Sequence, residues 1–138
     1  MADEQRMSLP RSIANWIESS DYDIKTADHM FATKRYVYVL FMCHLATEKV
    51  IKALYEVIHE KIQPKTHNLV ALLNAIELDV PEEQLQTIES LNDISIVTRY
   101  PEDIRALVKA FKKDRVEEYL NKTKRLLKWF KKDKRLKK

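Results

Sequence analysis

The 138-residue sequence contains no glycine, and this absence restricts the possible folds more than any other feature of the chain. Tight hairpin turns, phosphate-cradling loops and dinucleotide fingerprints use glycine where the backbone takes a positive φ or approaches a ligand closely. A sheet protein or a nucleotide-loop enzyme without glycine would be unusual. Most residues between the four prolines are instead good helix formers. The sequence therefore predicts an all-α fold.

Apolar residues recur at steps of three and four, which is the spacing of one buried helix face. This pattern predicts a first helix over about 11–31 and a second over about 34–61. Because the second helix is apolar on several faces, we expect it to be central, with partners on more than one side. A short helix begins near Leu69, and a further helix begins after Pro81.

Capping residues and prolines mark where these segments start and stop. Thr66 or Asn68 is expected to cap the short helix, and the pair Asp114 and Glu117 has the pattern of a capping box that opens the last helix. Pro101 ends the helix that begins after Pro81, because the residue before a proline is pushed away from helical angles. Short loops make sequential helices antiparallel. We therefore predict an up-and-down four-helix bundle with one short additional helix.

The length suits one domain with a sizeable core. We expect an N-terminal extension over residues 1–10, the helical bundle over 11–130 and a basic C-terminal tail over 131–138. Residues 121–138 hold ten Lys and Arg against Asp133 alone, a net charge of +9, which leaves −5 on the rest of the chain. Such a basic end either contacts nucleic acid or another anionic partner, or is a solvated helix end.

Cysteine content and the lengths of the apolar runs indicate a cytoplasmic protein. Cys43 is the single cysteine, which excludes an internal disulfide and is consistent with a reducing compartment. Its place in the apolar helix favours a small buried hydrophobe over a nucleophile. The N-terminal segment has no apolar core of signal-peptide length, and no run approaches the roughly 18 residues of a membrane span.

A row of polar side chains lies on the most apolar helix. Within the stretch HLATEKVIKAL, His44, Glu48 and Lys52 stand four residues apart and share one face. A buried carboxylate needs partners, so we expect Glu48 in a polar network with His44 and His67. This network either fixes the register of the bundle or forms the floor of a binding cleft.

In the second interpretation the cleft binds a nucleotide or another phosphate. Lys49, Lys52 and Arg99 supply cations to the phosphate oxygens, and Tyr100 supplies a stacking or hydroxyl group. No catalytic residue and no cofactor is assigned. One His–Glu pair is too little for a metal box shared by two helices, so no metal is expected.

Four motifs, taken in order, carry a resemblance to a known family. They are DYDIKTA in the first helix, HLATEKVIKALY in the second, KTHNL at the start of the short helix and TRYP after the next. Together they resemble the HEPN domain family, small helical bundles of prokaryotes, over about residues 11–129. The resemblance implies a four-helix bundle, often dimeric, and agrees with the helical pattern.

The functions of that family divide, and the resemblance leaves both branches open. Many members are endoribonucleases with an Arg followed, after four to six residues, by a His, the pair being duplicated at a dimer interface. Others lack the pair and are encoded beside a minimal nucleotidyltransferase, or bind nucleotides or assist other proteins. No histidine of this chain has an Arg five to seven positions before it, the four being His29, His44, His59 and His67. The cleavage chemistry of the family is therefore not carried over.

Three hypotheses follow for the function. The leading one is a homodimeric nucleotide-binding or interaction module that acts with a minimal nucleotidyltransferase, as in a toxin–antitoxin-like pair. The first alternative is a metal-independent endoribonuclease toxin whose active site, unlike the family's, combines Arg99 with His44 or His67. The second is a purely structural interaction module whose basic tail docks on an acidic partner. RNA is a further candidate ligand, and no membrane partner is expected.

Overall fold

The computed structural model describes residues 10–99 and 102–136, and over 96–99 it describes the backbone alone. Within those ranges the chain forms six α-helices and one 3₁₀ helix: α1 (Arg11–Ala32), α2 (Tyr36–His59), α3 (Leu69–Ile76), α4 (Glu82–Arg99), α5 (Ile104–Ala110), α6 (Lys113–Lys131) and the 3₁₀ helix Lys134–Leu136. No strand occurs in the described ranges, and the predicted all-α fold is confirmed. None of the described helices is long and apolar enough to cross a membrane.

Helix α2 lies at the centre of the bundle, as its apolar pattern predicts. It packs against each of the other described helices, and 13 of its 24 residues are buried. Leu40, Ile51 and Leu54 are fully excluded from solvent. Burial of each such side chain contributes about 1.5–3 kcal/mol. Side chains on the outer helices are therefore positioned mainly by how those helices pack on α2.

Hydrogen bonds between α1 and α2 show that the two helices run antiparallel. Near the start of α1, the Ser12 hydroxyl donates to Glu56 near the end of α2 at 2.8 Å. Further along α1, the Ser20 hydroxyl donates to the Ala46 carbonyl at 2.7 Å. Residue numbers thus rise along one helix as they fall along the other.

Ion pairs between α6 and α1 fix the direction of the last helix. Lys124 pairs with Asp28 at 2.6 Å, and Lys131 pairs with Asp21. Helix α6 is therefore antiparallel to α1 and parallel to α2. These are the directions expected of the first, second and last helices of an up-and-down bundle.

Left-handed backbone at three helix ends is occupied by residues other than glycine. Lys34, Glu60 and Glu77 have φ values of 65°, 53° and 54°. Glycine is the usual residue at such positions, because a Cβ there costs roughly 1–2 kcal/mol. In this chain the unfavourable conformation is offset by the packing of α1, α2 and α3, whose C-terminal ends these residues follow.

The predicted caps have different outcomes at the two helices concerned. The Asn68 side chain accepts a hydrogen bond from the Ala71 amide at 3.0 Å, so the prediction of a cap at Thr66 or Asn68 is confirmed. The prediction of a capping box at Asp114 and Glu117 is wrong. Helix α6 begins before that pair, and its N-cap makes no side-chain hydrogen bond.

Packing takes the place of a cap at the start of α6. Phe111 is buried in the core immediately before the N-cap residue Lys112. Asp114 instead lies in the first turn of the helix, where a carboxylate interacts favourably with the helix dipole.

Helix α5 is a second short helix that the sequence pattern did not predict. It contains no buried residue, and Ile104 and Val108 are exposed. Its start is fixed by Asp103, whose side chain accepts a hydrogen bond from the Ala106 amide at 3.2 Å. Ile104, Leu107 and Val108 do have helical spacing, but the segment of seven residues is shorter than the window in which periodicity identifies a helix.

The basic C-terminal segment returns to the bundle. Leu136 of the 3₁₀ helix is buried, and this short helix packs against α2. Packing on the bundle thus continues past residue 130. The division into a domain over 11–130 and a separate tail stays a prediction.

Candidate functional site

The predicted polar row on α2 faces the loop that precedes α3. His44, Glu48 and Lys52 expose only 0%, 4% and 8% of their surface. They follow one another by single turns of a helix whose remaining buried residues are mostly apolar. The row is therefore a narrow polar strip enclosed by the core.

The Glu48 carboxylate is the centre of this strip. Lys52 Nζ donates to its Oε2 at 3.0 Å, and His67 Nδ1 lies 3.0 Å from Oε1 and 3.2 Å from Oε2. His44 Nδ1 lies 3.9 Å from Oε1. An ionised carboxylate can only accept hydrogen bonds, so Nδ1 of His67 carries the proton in this contact. The ammonium and the imidazole together offset the unfavourable burial of the carboxylate.

The loop that carries His67 is held from both sides. Thr66 Oγ1 accepts a hydrogen bond from the Asn68 amide at 3.1 Å. On α4, Asn92 Oδ1 accepts a hydrogen bond from the Leu69 amide at 2.8 Å. These bonds fix the backbone on each side of His67, whose side chain is nevertheless 65% exposed. The imidazole thus has one nitrogen on a buried carboxylate and a ring that solvent and ligands can reach.

The polar strip extends one turn further than predicted. Lys52 Nζ lies 5.5 Å from the centroid of the Trp16 ring on α1, within the range of a cation–π contact. The indole Nε1 donates to Glu56 Oε1 at 3.2 Å, and Ser12 donates to Glu56 Oε2 at 2.8 Å. The Lys52 ammonium is therefore held between a carboxylate and an indole face.

Lys49 is not part of the strip. It faces α1, where its Nζ lies 2.6 Å from Asp23 Oδ2, and both side chains are largely buried. Adjacent helix positions such as Lys49 and Glu48 do not share a face. The structure therefore separates the two lysines that were predicted to act together, and each has a carboxylate partner.

The two remaining predicted residues fall at the limit of the described chain. Arg99 is the last residue of α4, but its side chain lies outside the described residues. Tyr100 lies outside them entirely. Their contact with the strip stays a prediction.

Cys43 is a buried and protonated thiol. Burial raises the pKa of its thiol to about 12, although Thr123 and Lys124 lower it. A thiol that stays protonated at neutral pH is a poor nucleophile. Among the residues that the structure describes, no group of three His, Cys, Asp or Glu side chains is placed to hold a metal ion.

The contact between His67 and Glu48 has the geometry that orients a catalytic or ligand-binding imidazole. When Nδ1 donates to a carboxylate, the other ring nitrogen, Nε2, is the one offered to a ligand. Neutral imidazole then presents a hydrogen-bond acceptor or base, and protonated imidazole presents a cation. The site can therefore take a proton from a ligand hydroxyl or bind an anionic oxygen.

Sequence reasoning missed three residues of the site. Glu56 had a signal, because it continues the four-residue steps of the row. Trp16 and Asn92 had none, because each reaches the site from another helix. Contacts of that kind depend on how the helices pack and not on spacing along one of them.

Comparisons with known proteins agree with this fold. The sequence model of the HEPN domain family matches residues 13–134. No curated protein sequence matches the chain. The crystal structure of TT1696 from Thermus thermophilus is similar, with a TM-score of 0.76 and 21% identity over 89% of this chain and 98% of that one. So is that of ST0689, an archaeal HEPN homologue, with a TM-score of 0.71 and 23% identity over 90% and 98%. At these identities the structural likeness shows the fold alone.

Proposed function

The chain belongs to the HEPN domain family, and on that premise we propose that it is a nucleotide-binding module that acts with a minimal nucleotidyltransferase. In this proposal it works in the cytoplasm as a homodimer, as one member of a toxin–antitoxin-like pair. The partner, the dimer and the pairing rest on the family resemblance. The ligand class rests on the charged strip of α2.

The observation that carries the proposal is an exposed imidazole anchored to a buried ion pair. The His67 side chain is 65% exposed, whereas that of Glu48, which accepts its hydrogen bond, is 5% exposed and that of Lys52, which pairs with Glu48, is 10% exposed. A purely structural histidine needs no such exposure. A ligand-binding histidine needs both a fixed orientation and an accessible ring.

The charges of the strip decide which groups contact phosphate. Lys52 is balanced by Glu48, and Lys49 is balanced by Asp23. Phosphate binding therefore depends chiefly on His67 and on Arg99, with Tyr100 stacking on the base. Lys52 is a secondary contact at the buried side, and Lys49 is the weakest of the four predicted residues.

Calorimetry with ATP and the other nucleoside triphosphates tests the ligand class. Arg99→Ala is expected to weaken binding by about 10- to 100-fold, the usual value of a hydrogen bond to a charged group. His67→Ala is expected to weaken it less. His29→Ala is the matched control, because His29 is an exposed histidine in the last turn of α1.

Two results would count against the nucleotide site. One is the absence of heat at millimolar nucleotide. The other is equal binding by Arg99→Ala and the unmodified protein. Equal loss with His67→Ala and His29→Ala would move the ligand away from the strip.

The partner is tested separately. We expect a minimal nucleotidyltransferase to be encoded beside the gene of this protein and to co-purify with it after co-expression. An isolated gene, or two proteins that elute apart, would contradict the pairing while leaving the nucleotide site untouched.

A second candidate function, metal-independent RNA cleavage, is favoured by the Glu48–His67 contact. A carboxylate that holds Nδ1 of an imidazole is the arrangement that orients a general base. In such a reaction His67 Nε2 takes the proton of the ribose 2′-hydroxyl, whose oxygen then bonds to the adjacent phosphorus. The bond from phosphorus to the 5′-oxygen breaks, the 5′-oxygen takes a proton from water, and a 2′,3′-cyclic phosphate that Arg99 stabilises is left. The Arg–His spacing of the family's ribonucleases is absent, so this site would be a different one.

Incubation of the purified protein with total RNA in EDTA decides this candidate. Cleavage that persists in EDTA and is lost in His67→Ala and Arg99→Ala, but not in His29→Ala, would support it. Intact RNA, or cleavage unchanged in His67→Ala, would exclude it.

A further inference from the structure

The C-terminal end of α6 carries a second concentration of charge, far more exposed than the strip on α2. Some of its cations are already paired with α1, namely Lys124 with Asp28 and Lys131 with Asp21. At the following turn, Arg135 donates to Asp133 at 2.7 Å. The two pairs with α1 attach the end of α6 to the bundle, whereas the Arg135–Asp133 pair is local to the segment that follows α6.

Among the described residues of this segment three further cations remain, and we refer to Lys128, Lys132 and Lys134 as the basic end. All three are exposed, and none of them has a carboxylate within ion-pair distance among the described residues. Lys128 and Lys132 stand four residues apart and therefore share one face of the chain. The helix dipole does not account for all of this charge, because it is equivalent to about half a charge and both Lys128 and Lys131 lie in the last turn.

An aromatic ring lies near one of these cations, because Trp129 and Lys132 line the same cavity. Trp129 is half-buried and meets Phe130 edge-on, with ring centroids 5.1 Å apart. A cavity of about 230 Å³ opens next to it, lined by Leu78, Asp79, Trp129, Phe130, Lys132 and Asp133. This volume is below the roughly 300–1,000 Å³ of sites for drug-sized ligands, so the cavity suits a single ring system.

We propose that the basic end and the Trp129 cavity form a binding site for single-stranded nucleic acid. Phosphates contact Lys128, Lys132 and Lys134, and one base enters the cavity and stacks on Trp129. Lysines that follow a backbone, combined with an aromatic platform for the bases, are the usual elements of single-strand recognition.

The carboxylates of the cavity favour a nucleobase over an acidic peptide. Asp79 and Asp133 both line the cavity. The hydrogen bond from Arg135 lowers the pKa of Asp133, which therefore stays ionised and accepts hydrogen bonds. An acidic side chain would meet these like charges, whereas the exocyclic amino and ring N–H groups of a base can donate to them.

This site does not depend on the proposed nucleotide site. Its residues come from α6, the 3₁₀ helix and the segment after α3, and it shares no side chain with the strip of α2. If the protein does not bind ATP, the proposal of a nucleic-acid site is unaffected. If it does not bind single strands, the proposed nucleotide site is unaffected.

Fluorescence anisotropy with the full-length protein tests the phosphate contacts. The probes are end-labelled single-stranded RNA and DNA of about ten nucleotides, a length within the usual range for such sites. The Lys128→Ala/Lys132→Ala variant is expected to reduce the steepness of the negative slope of log K against log salt by about 1.4, because each phosphate that a lysine neutralises contributes about −0.7 to that slope. The matched control is Lys112→Ala/Lys113→Ala, which removes the same charge from exposed lysines at the other end of α6.

Stacking is tested at Trp129. Trp129→Leu is expected to weaken binding of the single strand about tenfold, and Trp129→Phe is expected to restore most of it. Circular dichroism of both variants shows whether the helices remain folded. Because Phe keeps an aromatic ring against Phe130, it separates stacking from packing if the Leu variant fails to fold.

Several outcomes would overturn the site. The first is absence of binding at about 50 mM salt, where nonspecific phosphate contacts are strong. The second is an equal change of salt dependence in the Lys112→Ala/Lys113→Ala control. The third is a Trp129→Phe variant that binds the single strand no better than a folded Trp129→Leu variant. Equal competition by poly-glutamate would assign the surface to acidic proteins. Equal affinity for a duplex of the same sequence would exclude insertion of a base.

Discussion

The pairs Glu48–Lys52 on α2 and Glu118–Lys122 on α6 have the same spacing in sequence and nearly the same separation, 3.0 Å and 2.9 Å. Their surroundings are opposite. The side chains of the first pair are 5% and 10% exposed, and those of the second are 64% and 42% exposed. A glutamate followed four residues later by a lysine thus gives the same bond geometry in the core and in water.

What differs between the two pairs is the consequence of breaking them. Water solvates Glu118 or Lys122 if its partner is removed, so the pair contributes little to stability. Water cannot reach Lys52 in the same way, so removal of Glu48 leaves a charge in the core. The buried strip is therefore tied to the fold. Of the described groups joined to the strip, His67 alone presents an exposed ring to ligands, whereas the charges of α6 are exposed along the helix.

The largest effect is expected from Glu48→Gln. This change keeps the size of the side chain but leaves the Lys52 ammonium without its counter-charge, which is expected to destabilise the protein by about 3–5 kcal/mol. Urea unfolding followed by circular dichroism measures it. Glu118→Gln is the matched control, and its unfolding midpoint is expected to stay unchanged. Equal unfolding midpoints for the two variants would mean that burial does not increase the loss of stability when the ion pair is broken.

Asn92→Ala is expected to have the next largest effect. It removes the side-chain acceptor of the Leu69 amide, and loss of such a cap costs about 1–2 kcal/mol. Because the bond fixes the loop around His67, the variant is also expected to weaken nucleotide binding. Asn121→Ala removes an exposed asparagine from α6 and is the control. An equal loss of stability in both variants would contradict a role for the hydrogen bond between Asn92 and the Leu69 amide.

The helices were largely predictable because their positions follow from periodicity. Observed α1 and α2 lie within two residues of the predicted ranges at each end. In α2 nearly every face is apolar, so its central place followed without reference to any partner. Helix α5 was not predictable in this way, because its seven residues are fewer than the window over which periodicity identifies a helix.

The candidate site was predictable only where it lies on a single helix. The row of Glu48 and Lys52 follows from spacing, but the Trp16 ring above Lys52 comes from α1 and the Asn92 cap comes from α4. Spacing also cannot tell that Lys49 turns toward Asp23. Partners that meet across helices are set by packing, which a single sequence does not display.

A smaller effect is expected from Asp133→Asn at the end of α6. Hydrogen bonding to Arg135 lowers the pKa of Asp133 below its ordinary value of 3.8. The ion pair therefore adds stability above pH 3.8, and the addition is lost as the pH falls through the lowered pKa. Solvent screens the half-exposed Arg135, so the loss at neutral pH is expected to be below about 1 kcal/mol.

The pH dependence provides the check on that prediction. Thermal midpoints of Asp133→Asn and the unmodified protein are expected to differ at neutral pH. They are expected to converge in acid, where the protonated carboxyl of Asp133 is as neutral as the amide that replaces it. A difference that persists in acid would show that the substitution acts through packing near Leu136 and not through charge.

The smallest effect on stability is expected from Lys128→Ala/Lys132→Ala, the variant that removes two of the proposed phosphate contacts. Neither lysine has an ion-pair partner among the described residues, and substitutions of this kind change stability by less than about 0.5 kcal/mol. At low salt, removal of two like charges from a segment of net charge +9 is expected to raise the unfolding midpoint slightly. A lowered midpoint would mean that the two cations support the end of α6. Weaker binding in this variant would then reflect a loosened helix, and the contrast between the buried strip and the basic end would fail.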